Sequence, residues 1–222
     1  MQTLEQAVAE LYLAVLNRLP DAQGLAFWVA QVQQGAITLP GIGINWVQSQ
    51  AEVQQHYPSS LSSSHFVSQI YANVLGRSPE PTGLQYWTAQ LEAGALSRDN
   101  FINAVIAGAK SGASGNSDAA LLANRANIGV EYAQSGLDVS TWGKTVQALT
   151  TADAASVTLA SSVIKLLTAS SQHGAQTEAT RLATQLEQWM AGSASTTPSS
   201  QQLGKLAEYV QSSQSWLAQH PE

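Results

Sequence analysis

The chain has 222 residues, 44% apolar and only 11% charged, so it can bury a sizeable core while its polar surface comes from Gln, Ser, Thr and Asn. Nine Lys plus Arg against 15 Asp plus Glu leave a net charge of −6; no basic stripe is present to track a phosphate backbone, and nucleic acid is excluded as a partner. Cysteine is absent, which removes disulfides, thiol nucleophiles and Cys-based zinc sites, and suits a protein that works outside the cell.

The first residues carry acids rather than a basic n-region, so export is expected without a classical N-terminal signal peptide. No run approaches the ~18 apolar residues of a membrane span. Leu4, Val8, Leu11, Tyr12, Val15 and Leu16 recur at spacings of three and four, which predicts a helix with one apolar face, stopped by Arg18-Leu19-Pro20. Asp21 stands at an N-cap position for a second helix bearing Leu25, Trp28, Val29 and Val32, which Gly35 ends. Thr38 and Pro40 open a third, with Ile42, Ile44, Trp46 and Val47.

The same plan returns as Phe66 to Leu75, then Leu84, Trp87 and Leu91, then Phe101, Ile102, Val105 and Ile106. Tyr12 to Trp28 and Tyr71 to Trp87 are edited copies of one sequence, 71 − 12 = 59 residues apart. A turn-rich connector over His56 to Ser64 separates them, and the Gly/Ser break from Lys110 to Ser117 follows. Asp118 is expected to cap a helix through Leu121, Leu122, Ala126, Ile128 and Tyr132 that ends at Gly136. Further helices are expected over Val139 to Leu149, from Asp153 to Leu167, over Thr177 to Met190, and along Leu203, Leu206, Val210, Ser213 and Leu217. The chain therefore reads as all-α, with two tandem three-helix units (residues 1–58 and 59–116) packed with a C-terminal helical region (117–222).

Each copy of the motif describes a tight corner. The residue before Pro20 or Pro79 is pushed out of helical space, and the acid that follows favours the next helix start. Gly24 and Gly83 fall in the first turn, where a missing side chain admits the preceding helix; Leu-x-x-Trp, ending at Trp28 or Trp87, gives that helix its apolar face. Arg18 and Arg77 are expected to tether helix-terminal carbonyls or a nearby carboxylate. Truncating Trp28 or Trp87 to Ala should cost about 3–5 kcal/mol.

The sequence Tyr-x-x-Val-Leu-Gly-Arg-x-Pro-Glu-x-x-Gly-Leu-x-Tyr-Trp, from Tyr71 to Trp87, resembles a helical domain of unknown function found in bacterial RTX-type exported proteins and S-layer proteins. The first copy departs from it at Asn17, where the second has Gly76, and carries Phe27 in place of Tyr86. Leu122 to Ala133 is similar to the segment that follows such repeats, and the corner is more distantly similar to phycobilisome linker modules. The resemblance implies a scaffold without catalytic residues. Calcium-binding Gly-Gly-x-Gly-x-Asp repeats, which often follow this domain, do not occur here.

His56, His65, His173 and His220 are scattered, none with a partner four residues on, and metalloprotease, esterase, phosphate-loop and EF-hand signatures are all missing. Glu5/Glu10 and Glu178/Glu187 read as solvated helical carboxylates rather than acid–base pairs. No cofactor and no metal are expected. Among the six tryptophans, Trp142 and Trp216 have polar neighbours and suit stacking on a sugar. The candidate ligand residues are Trp142, Asn124, Arg125 and Tyr132, at the junction between the second unit and the helices after the Gly/Ser break. The expected function is a non-catalytic module of an extracellular, cell-surface-associated protein, with a surface polysaccharide or another surface protein as partner. The alternatives are a protein–protein assembly module and a hydrolase whose site forms only in the fold.

Overall fold

The computed structural model describes residues 2–111, 116–137, 139–172 and 200–219, and among these residues no strand occurs. Helix α1 (Leu4–Leu11) runs without a break into a π-helical turn (Tyr12–Leu16). Then come α2 (Ala22–Gln33), α3 (Leu39–Ser49), a short α4 (Ala51–His56), α5 (Ser63–Leu75), α6 (Pro81–Glu92) and α7 (Arg98–Lys110). The C-terminal part holds α8 (Asn116–Ser135), α9 (Val139–Leu149), α10 (Ala154–Gln172) and α11 (Ser200–Gln219). The protein is all-α. The helix expected over Thr177 to Met190, the loop over 192–199, His173, His220 and the side chain of Trp216 lie outside the described residues.

Local chemistry explains where the helices start. Thr3 and Gln6 form a reciprocal capping box at α1, Asp21 accepts from the Gly24 N–H at α2, Thr38 from the Gly41 N–H at α3, and Ser62 from the His65 N–H at α5. Helix bounds in the first half recur at the sequence offset: 4 + 59 = 63 and 16 + 59 = 75 for the first helix, 22 + 59 = 81 and 33 + 59 = 92 for the second. Short α4 has no side-chain cap and ends at His56, where the connector expected from the sequence begins.

The first helix departs from the single apolar face its spacing predicts. Every residue from Val8 to Leu16 is buried, and a helix enclosed on all sides belongs at the centre of a core. One side of it, with Val8, Leu11, Tyr12 and Val15, joins α3, α5 and α7 in a cluster that includes Trp46, Phe66, Ile70 and Phe101. Leu13 and the corner residue Leu19 point the other way, into a second cluster with Ile128 and Tyr132 of α8, Val146 of α9, Val163 of α10 and Val210 of α11. The wide turn helps the short segment serve two cores, since a π turn re-aims side chains relative to a regular helix. Helix α8 lies close against this centre: a Cβ on Gly129 would sit 3.2 Å from Pro20 and 3.5 Å from Ala9.

Candidate functional site

The two corners are built alike. Asn17 and Gly76 end their helices in the left-handed region, at φ 48° and 65°, which Asn and Gly adopt most cheaply. The next residue, Arg18 or Arg77, lays its guanidinium over the motif tyrosine behind it, 5.1 Å from the Tyr12 ring and 5.7 Å from Tyr71. Each arginine donates to the adjacent carbonyl, of Leu19 or Ser78 (both 3.3 Å), and pairs with the acid after proline, Asp21 at 3.5 Å or Glu80 at 2.7 Å. A second carboxylate for each comes from elsewhere in the fold. Arg18 Nε donates to Glu52 of α4 (3.2 Å), and Arg77 grips both oxygens of Asp118 in α8 (3.3 and 2.9 Å). Asp118 is thus buried inside the first turn of α8 as the partner of Arg77, rather than capping the helix.

Tyrosine and tryptophan close each corner from the other side. The Trp87 indole donates to the Tyr71 hydroxyl at 3.0 Å. In the first copy burial, then the charge of Asp21, pushes the Tyr12 hydroxyl up to about 12, so it stays a neutral phenol. Its oxygen sits where a side chain on Gly24 would be: a Cβ there would lie 2.2 Å away. Gly83 has room, with Tyr71 at 3.9 Å. Pro20 is buried in the corner and Pro79 half-buried. Trp28 and Trp87 are half-buried against the first core, and among the described residues the fully enclosed indole is Trp46.

Both left-handed corners face one cleft of about 460 Å³, where Asn17, Asn73, Arg77, Arg125, Lys144 and Gln147 are among the lining residues. Among the described residues no carboxylate or imidazole lines it. An adjoining cleft of about 260 Å³ shares Asn17, Asn73 and Lys144, and adds Arg18, Glu52 and His56. Four of the nine Lys and Arg of an acidic chain therefore line one continuous groove: Arg18, Arg77, Arg125 and Lys144. Arg125 is held from below by two carbonyls, Thr150 at 3.2 Å and Asn73 at 3.3 Å, and burial pulls its guanidinium below the ordinary arginine range. The Gln147 amide donates to the Asn17 side chain at 3.0 Å, and its Oε1 is buried without a partner.

Of the four residues expected at the ligand, only Arg125 lines this cleft. Asn124 ties α8 to the α9–α10 connection by donating to the Thr151 carbonyl at 2.9 Å. Tyr132 is fully enclosed in the second core and Trp142 packs against it. Asn17, Lys144 and Gln147 line the cleft beside Arg125. Asn17 carries a signal in the sequence, an Asn where the other copy has Gly, which marks a left-handed turn with a side chain to spare. Lys144 and Gln147 carry none, because nothing local says which face of α9 meets the corners.

Fold and cleft define a helical module with two corner motifs meeting at a polar groove, and among the described residues no group of His, Asp and Glu that could hold a metal. Residues 3–50 and 44–109 each match the family model described as domain of unknown function (DUF4214), and the match leaves α8 to α11 outside it. No match was found among curated proteins or among solved structures. No described helix is long and apolar enough to cross a membrane.

Proposed function

We propose that this protein is a non-catalytic interaction module of an extracellular, cell-surface-associated bacterial protein of the RTX or S-layer kind, and that it holds a surface polysaccharide in the groove where its two corners meet. The observation that supports this is the chemistry of the groove. Amides from Asn17, Asn73 and Gln147 stand beside cations, and its volume falls in the range of about 300–1,000 Å³ usual for ligand sites. Side-chain amides donate and accept at once, which is what a polyhydroxylated ring requires. Among the described residues no carboxylate lines the larger cleft, so a bound sugar meets there no pair of the acids that glycoside hydrolysis uses.

The two N-terminal units supply the corner side of the groove in this reading and α8 and α9 the other side, so neither unit binds alone. Titration of purified surface polysaccharide from the producing bacterium, followed by calorimetry, should saturate with the wild type and weaken with Gln147→Leu. Absence of saturable binding would refute the proposal. A second reading, contact with another surface protein, is favoured by Phe27 and Tyr86, the exposed large apolar side chains at 53% and 56% on equivalent positions of α2 and α6. Association with another surface protein that is lost with Phe27→Ser and Tyr86→Ser but retained with Gln147→Leu would select it.

A further inference from the structure

The groove holds positive charge that the fold leaves unanswered. Arg18 and Arg77 are neutralised by Asp21, Glu52, Glu80 and Asp118, but among the described residues Arg125 meets only carbonyls. Arg125 is half-buried, and drawing a guanidinium even partly out of water is costly unless an anion replaces the lost hydration. Its Nη2 comes within 3.9 Å of where a Cβ on Gly76 would lie, at the cleft wall. Lys144, one turn before Gln147 on α9, has no ion-pair or hydrogen-bond partner among the described residues. Residues three apart on a helix lie about 5–6 Å from each other at Cβ, a span that one sugar ring bridges.

Gln147 is the second, independent sign of a ligand. It is 8% exposed, lines the cleft, and leaves one amide atom unmatched. Turning over its amide and that of Asn17 exchanges donor for acceptor and still leaves one Gln147 atom without a partner. The terminal torsion of glutamine is soft, so a small rotation turns that atom to an occupant. Resting on the saccharide reading above, we infer that the sugar held here is acidic, with its carboxylate against Arg125 and Lys144 and a ring hydroxyl on the Gln147 amide. An acidic peptide fits less well, because the larger cleft offers its side chains only Ala72 and Ala148 as apolar lining.

Calorimetry on the full chain with tetragalacturonate and its carboxyl-reduced neutral counterpart tests this. The acidic sugar should bind at least roughly ten-fold tighter, and added salt should narrow the gap because Lys144 is exposed. Lys144→Gln should melt like the wild type and lose most of the preference for acid, whereas Gln147→Leu should weaken both sugars alike. Equal binding of the two sugars, or a preference unchanged in Lys144→Gln, overturns the acidic-sugar inference and leaves the saccharide reading standing. Failure of both sugars to bind overturns both. Inorganic phosphate or a penta-glutamate peptide binding as tightly as tetragalacturonate also overturns the inference.

Discussion

Gly24→Ala and Gly83→Ala make the same chemical change at equivalent corners, and the structure predicts opposite outcomes. At Gly24 the new methyl would lie 2.2 Å from the Tyr12 hydroxyl and 2.9 Å from a carboxylate oxygen of Asp21. Tyr12 has no room to retreat: it is 3% exposed, edge-on to Trp46 at 4.7 Å and covered by Arg18. Overpacking of this kind costs about 1–3 kcal/mol, and displacing Asp21 from the Gly24 N–H it caps at 2.7 Å adds about 1 kcal/mol. Against this stands a helix-propensity gain of at most about 1 kcal/mol. The net loss is about 2 kcal/mol, a fall in Tm of about 4–8 °C for a chain of this length. At Gly83 the nearest atoms are at ordinary contact, 3.8 and 3.9 Å, so only the propensity gain remains and stability rises by up to about 1 kcal/mol. Thermal unfolding followed by far-UV circular dichroism reads both. Equal melting of the two variants would refute the account of the first corner.

Arg77→Ala should destabilise by about 3 kcal/mol, because it strands Asp118, whose side chain is 5% exposed; Arg18→Ala should cost no more than about 1 kcal/mol, since Asp21 and Glu52 are 41% and 42% exposed. Urea unfolding measures the contrast. Burial, only partly offset by Lys110, raises the Glu10 carboxyl above its ordinary 4.5, so the folded state holds that proton more tightly than the unfolded chain. The resulting stabilisation is full below pH 4.5 and lost as pH rises through the folded value; comparing unfolding of Glu10→Gln with wild type from pH 4.5 upward should isolate that slope. Trp46→Ala should cost about 3–5 kcal/mol, and Trp28→Ala or Trp87→Ala roughly half that, because their rings are only half-buried; equal losses in all three would contradict the burial pattern.

Helix starts were legible where capping is local: Asp21 and Thr38 announce themselves within three residues of the N–H groups they satisfy. The second core's claim on Leu13 and Leu19 was not, although the unbroken apolar run from Leu11 to Leu16 hints at a helix covered all round. Periodicity reports a face and not what covers the other side. Asp118 looked like a cap for the same reason, since its true partner, Arg77, lies 41 residues away and no local rule connects them. The candidate site follows this pattern. Its cleft is assembled from the end of the π-helical turn, the end of α5, the middle of α8 and the face of α9, and only Arg125 and the repeat residues Asn17, Gly76 and Arg77 stand out in the sequence beforehand.

The central claim, that the groove between the corners binds a saccharide, is tested most directly by nuclear magnetic resonance of the side-chain amides during titration with tetragalacturonate. The account predicts saturable shifts of the Asn17, Asn73 and Gln147 amide groups, with Asn124 little affected because it is bonded to the Thr151 carbonyl outside the cleft lining. Shifts confined to residues around Phe27 and Tyr86, with the three groove amides unmoved at saturation, would contradict it.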